Sequence, residues 1–458
     1  MAEEVQVKEN KMGTMPVGKL LASMSIPMML SMMVQALYNI VDSVLVAMIS
    51  ENALTAVSLA FPLQSLMISC GVGLAVGINA FLSRSLGQKA YDEVNKSAVN
   101  GLFIEACVMA CFFLAGVFLT KPFFDAQTAD PEIRANGYAY MRIVCCCSFG
   151  MFMEITLERI LQATGRTFYA MVSQMTGAVF NIIMDPILIF GLFGAPKLGI
   201  AGAAAATVAG QHIAAVIALV LNLKKNPEVS LSLKGFLPDL RIIRGIFSVG
   251  IPSVVMQAIG SVMTYGMNQI LISFTPTATA VFGIYFKINS MIFMPVFGLN
   301  NGAVPIIAYN YGARRKDRVI RTMQLSFAAA VSIMSVGFIL FETIPEVFFR
   351  MFSASDNMLA IGTTAFRIIA ITFPVASFCI VCSSAFQALG HGVYSMIVSI
   401  CRQLVVLLPS AWLLSLKREL ALVWWAFVIA EVASLIVCVF FLKRIWGNTI
   451  SRIGEAED

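Results

Sequence analysis

Long apolar runs, each closed by a short polar or glycine-rich break, dominate the chain from residue 20 to residue 445. A run of about 20 apolar residues is long enough to cross a bilayer as a helix, whereas a barrel strand needs only about 9 to 11 alternating residues. Twelve such runs lie near 22–50, 53–82, 98–120, 138–162, 168–191, 199–222, 246–271, 278–308, 320–343, 361–386, 394–416 and 421–444. The pattern predicts an all-α membrane protein with twelve transmembrane helices. The first run is far longer than a signal-peptide core of about 7 to 15 residues, so it is expected to remain as the first span.

The runs repeat at a spacing of 225 residues. Ile26-Pro27 recurs as Ile251-Pro252, and Gly73, Gly77 and Gly87 recur as Gly298, Gly302 and Gly312. Gln162-Ala163-x-Gly165 recurs as Gln387-Ala388-x-Gly390. One register holds through five of the six spans in each half. Six spans per half is an even number, so both halves start on the same face and form a parallel repeat. The expected organisation is a tail at 1–19, a first lobe at 20–223, a linker at 224–245, a second lobe at 246–445 and a tail at 446–458. The linker segment 231–247 mixes apolar and basic residues and is expected along the membrane surface.

Composition agrees with this pattern: 59% of residues are hydrophobic and 12% are charged, against about 25% charged in soluble domains. About two-thirds of the Lys and Arg residues fall in one set of alternate loops, which puts both termini in the cytoplasm by the positive-inside rule. The net charge of +6 therefore reads as topology, with no nucleic-acid partner. The ten cysteines lie largely in apolar runs and imply no disulfide framework. The two histidines, and the lack of H-E-x-x-H or G-x-S-x-G, argue against an intramembrane enzyme. The 27 Met and 34 Phe residues suit either a permissive pocket or plain lipid contact.

A few polar residues interrupt the apolar runs. Carboxylates inside a bilayer are costly and usually functional. Asp42 lies in the first span and Asp185 in the fifth, within NIIMDPILIF. At about 1.5 Å per residue, both sit roughly 12 Å below the outer ends of their helices, as does Thr207 in the sixth span. Tyr38 and Asp42 share one helical face, as do Asn181 and Asp185. Pro186 removes a backbone donor beside them. Two carboxylates, an amide oxygen and a hydroxyl suit Na⁺, while two close carboxylates can instead share a proton. A plain helix–helix hydrogen-bond cluster is the structural alternative. The repeat sharpens the point: Asp42 maps to Met267, Asn181 to Val406 and Asp185 to Ser410. Glu431, in the last span, is a candidate substrate contact or a partner of Lys287 or Arg402. Glu158 is expected to meet Arg159 or Arg166.

These residues resemble the multidrug and toxic compound extrusion family, MATE, in its DinF-like prokaryotic branch, over about residues 15 to 445. The resemblance rests on SIPMMLSMMVQALYNIVDSVLVA, NIIMDPILIF, LGIAGAAAAT and the late LVWWAF-x-IAE pattern. It implies two six-helix bundles and a secondary active antiporter of the prokaryotic plasma membrane. Such a protein exports organic, mainly cationic drugs against Na⁺ or H⁺ and needs no other cofactor. By resemblance the cation site is Asp42, Asn181, Asp185 and Thr207, with Tyr38 one turn from the aspartate and Pro27 as the hinge of the first helix. Glu431, Met256 and Gln35 are the candidate substrate contacts. The seventh span lacks the acid that other branches carry there, which favours coupling through the first lobe. A monomer is expected, with membrane lipid around it. A flippase for a lipid-linked precursor is the alternative function.

Overall fold

The computed structural model describes residues 9–352 and 354–454; the outermost parts of both expected tails, with Lys8, lie outside the described residues. Every described regular element is helical. Among the described residues, ten unbroken helices are long and apolar enough to cross a membrane. The tenth span in chain order is a pair, Asp356–Ala370 and Phe373–Ala388, bent by 51°. Pro374 at the start of its second piece lacks the N–H that would continue the ladder. The fourth span lies in the same register one repeat earlier, as Pro131–Cys146 and Phe149–Ala163. This fourth span was expected as one helix over 138–162. It is two short pieces, and it carries Glu154, Glu158 and Arg159 within its second piece.

The repeat is geometric as well as chemical. Glu51–Gly87 and Pro276–Gly312 have identical bounds after a 225-residue shift, as do Tyr91–Phe118 and Lys316–Thr343. Thr167–Phe190 and Gly392–Ser415 match in the same way. The register fails only at the last spans, Ile200–Lys225 and Leu420–Ile445, because the connection 416–419 is five residues shorter than 191–199. The repeated Gln-Ala-x-Gly motif also has a local cause. Gly165 and Gly390 take φ of +83° and +85° just past the fourth and tenth spans. There Arg166 N–H bonds the Leu161 carbonyl (2.7 Å) and His391 N–H the Phe386 carbonyl (2.7 Å), closing two helices with the same left-handed cap.

The two halves meet along a seam on the side that bears the termini. The first span packs against the eighth, and the seventh against the second. Glycines at matching repeat positions make this approach close. A Cβ on Gly77 would run into the backbone of Ile246 and Gly250, and one on Gly302 into Ser25. Gly87 and Gly312 likewise face the backbones of Tyr309 and Arg84. Beneath the seam, part of the expected N-terminal tail is packed. Asn10 donates to the Thr164 carbonyl (3.0 Å) and to Glu228 (3.0 Å). Arg318, of the second half, donates to the Met12 (2.8 Å) and Met15 (2.7 Å) carbonyls. Met12 is fully buried. The linker segment expected along the membrane surface is irregular only to residue 239; the seventh helix, Leu240–Ile272, already begins there, capped by Asp239.

Candidate functional site

Small residues bring the fifth and sixth spans together. A Cβ on Gly177 would stand 2.8 Å from the Gly210 carbonyl, so the two backbones touch. One turn further along, Asn181 therefore faces Thr207. In the amide orientation that satisfies both ends, Asn181 donates to Asp185 (3.2 Å) and accepts from the Thr207 hydroxyl (3.3 Å). Asp185 is fully buried and Asn181 nearly so. Pro186 follows directly and leaves the Ile182 carbonyl without its helical donor.

The first span supplies the opposing acid. The carboxyl groups of Asp42 and Asp185 lie within hydrogen-bonding reach of each other. Asp42 Oδ1 is buried and no donor faces it. Two ionised carboxylates offer only acceptors to one another, and their mutual repulsion grows as water is excluded. A cation or a shared proton between them would relieve that repulsion. The donors are hard oxygens, as Na⁺ prefers. Among the described residues no cluster of three or more His, Cys, Asp or Glu side chains is set to chelate a metal.

Tyr38, Asn181 and Thr207 also line a cavity of about 140 Å³ that continues along the fourth span to Glu154, Glu158 and Arg159. Gln35 lines it too and accepts from Gln174 (3.4 Å), which in turn accepts from Ser31. Among the described residues Glu158 makes no ion pair within 4.0 Å with either arginine expected for it. Arg166 pairs with Glu228 (2.9 Å), and Arg159 donates to Gln162 (3.0 Å) and to Asn301 (2.9 Å). Glu158 Oε1 is left buried without a partner. Pro27 lies inside a continuous helix, Val17–Ala47, below these groups.

The second half is built differently. Met267, at the repeat position of Asp42, is fully buried. Glu431 pairs with Arg402 (3.5 Å), while Lys287 lies over the Phe352 ring (5.9 Å). Met256 accepts a weak bond from Gln387 (3.5 Å). Met256 and Glu431 are thus separate from the cavity that holds Gln35. One acid escaped the sequence reading. Glu105, in the third span, is fully buried with neither carboxyl oxygen partnered. Its position inside an apolar run, opposite Ala330 in the repeat, was the available signal.

A family model described as MatE matches residues 27–187 and 252–413, once on each half and starting at the paired prolines. The multidrug export protein MepA of Staphylococcus haemolyticus (strain JCSC1435) is 25% identical over 429 residues, 93% of each chain. MepA of Staphylococcus aureus (strain MSSA476) is 26% identical over 427 residues, 91% of each chain. A solved structure titled as the outward-facing conformation of a multidrug resistance MATE family transporter of the MOP superfamily is 25% identical, with a TM-score of 0.91 over 97% of this chain and 99% of that one. A MATE structure in the straight conformation, 24% identical over 97% of this chain and 99% of that one, also gives 0.91.

Proposed function

This chain belongs to the MatE family, a family of membrane transporters and not of enzymes, and from that premise we propose that it is a secondary active exporter of organic, mainly cationic compounds. It exchanges them for Na⁺ or H⁺ across a prokaryotic plasma membrane, as a monomer with both termini in the cytoplasm. The observation that carries the coupling is the meeting of Asp42 and Asp185 with no donor between them.

With the cleft open outward and the seam closed on the cytoplasmic side, a cation enters between Asp42 and Asp185. Asn181 and Thr207 supply further oxygens, and Tyr38 borders the site. Neutralising the pair removes the cost of two buried charges and permits the halves to close outside. Opening inward then releases the cation and admits drug. A ligand drives such a cycle only through different affinity for the two states. The first span carries Asp42 on one side of Pro27 and the seam contacts of Ser25 on the other. A bend at Pro27 therefore changes both together. Gln35, Met256 and Glu431 are proposed substrate contacts, with Glu431 reached once Arg402 is drawn aside. A flippase for a lipid-linked precursor is disfavoured: an anionic substrate would meet Glu154 and Glu158 in the first half.

Dye efflux from proteoliposomes tests the reading, first under an imposed Na⁺ gradient and then under a pH gradient. Asp42→Asn and Asp185→Asn are expected to lower coupled efflux by about a hundredfold, the loss of roughly 3 kcal/mol of coupling, while still reaching the membrane. Wild-type export by both variants would sink the coupling role.

A further inference from the structure

The cavity beside the cation site holds a positive charge that the cycle above does not use. Arg159 is 8% exposed, yet among the described residues no carboxylate pairs with it within 4.0 Å. Its guanidinium is held by two amides. Gln162 lies on its own helix, and Asn301 belongs to the eighth span, in the opposite half. Glu158, the next residue, has an oxygen buried without a partner, and Glu154 lines the same cavity one turn away. The other ionisable group on the cavity wall is Tyr38, beyond which stand Asp42 and Asp185. The arrangement is particular to this half: the repeat positions of Arg159 and Asn301 are Ser384 and Val76.

A buried guanidinium gives up a hydrogen bond only by finding another acceptor, since an unsatisfied charged donor is costly. Asn301 is in reach only while the halves are apposed on the side of the termini. When they part there, Asn301 withdraws with its own half. Glu158, with a buried oxygen that has no partner among the described residues, is an open acceptor in the same cavity.

We propose that Arg159 is the switch that evicts the coupling ion: tethered to Asn301 across the closed seam, it swings onto Glu158 and Glu154 when the seam opens. Its positive charge then moves deeper into the cavity, towards Asp42 and Asp185. In a medium of low dielectric, that added positive charge opposes a bound cation or proton at the aspartate pair. Cation affinity thereby falls in the inward-open state, which is the difference the exchange cycle requires. Arg159 acts through the aspartates and is a positioning residue. The inference rests on the coupling role of Asp42 and Asp185.

The test measures two constants in proteoliposomes that contain the whole protein. One is the cation concentration on the outer side that half-saturates efflux; the other is the concentration on the cytoplasmic side that half-inhibits it. Arg159→Gln removes the evicting charge, so the inner constant should fall about tenfold, within the usual range of coupling energies. Asn301→Leu frees Arg159 before the seam opens, so the outer constant should rise by about the same factor. Arg159→Lys keeps the charge and should restore most of the inner constant. A merely structural role would move both constants alike in both variants, and that result overturns the proposal, as do unmoved constants. If Arg159→Gln fails to reach the membrane, an unmoved outer constant in Asn301→Leu is enough to overturn it. A wild-type protein with no cation dependence would instead overturn the coupling reading beneath it.

Discussion

Arg402 and Glu431 illustrate how the second half handles charge. Their ion pair, 3.5 Å long, lies inside the bundle with Glu431 at 9% side-chain exposure. Removing one partner of a buried pair leaves the other uncompensated, at a cost of about 3–5 kcal/mol, while replacing both by apolar residues is often neutral. Arg402→Leu should therefore lower the thermal midpoint of purified protein, and the double variant with Glu431→Leu should recover most of the loss. A double variant no more stable than the single one would show that the pair is not the cause. Among the described residues no cation pairs with Asp42 or Asp185, and this sets the two lobes apart. At this scale much was legible in the chain itself. Asp42, Asn181 and Asp185 stand out because polar residues are rare in apolar runs, and helical rise puts Asp42, Asp185 and Thr207 at one expected depth. Glu105 carries the same signal, yet it escaped the sequence reading. The bond from Arg159 to Asn301 was not legible, because it depends on how two distant helices dock.

The helices carry departures from regularity that periodicity does not reveal. In the eleventh span, residues Cys401–Leu407 form a π-helical stretch. Pro409 follows and cannot donate to the Val405 carbonyl, so the ladder slips by one residue upstream. Arg402 sits in that stretch, while the matching residues 176–182 are regular α-helix. The broken fourth and tenth spans were likewise read as single runs, since hydropathy sees length and not a bend. The glycine repeat, by contrast, was plain in the sequence, though its purpose came only with the packing. A methyl group at Gly77 has no room beside Ile246, and overpacking costs about 1–3 kcal/mol. Gly77→Ala should weaken the seam. Amide hydrogen exchange over 246–254 is expected to quicken by about tenfold, and exchange at the wild-type rate would mean that the helices part to accept a methyl at no cost.

The whole molecule is two near-copies held together at one end. The first half and the linker bind one side of residues 9–15, through Thr164 and Glu228. The second half binds the other, through Asn310 and Arg318. On the proposed cycle, this strap must let go before the termini side can open. Asn10→Ala combined with Arg318→Leu removes bonds each worth about 1 kcal/mol. In detergent, trypsin should then cleave after Lys11 about ten times faster than in the wild type. Equal cleavage rates would show that the strap does not restrain opening. The parallel repeat was legible from end to end except at its last span, where a shorter connection shifts the register.

Closure by bare backbone has a further consequence. Where helices touch backbone to backbone through glycine, as at Gly77, little side chain is left whose rotation could open a narrow file of water along the seam. A pump that idles in an energised membrane squanders its driving gradient through any trickle of ions. On the proposed cycle, Gly77 and Gly302, on opposite sides of the pseudo-symmetric joint, would act as electrical insulation.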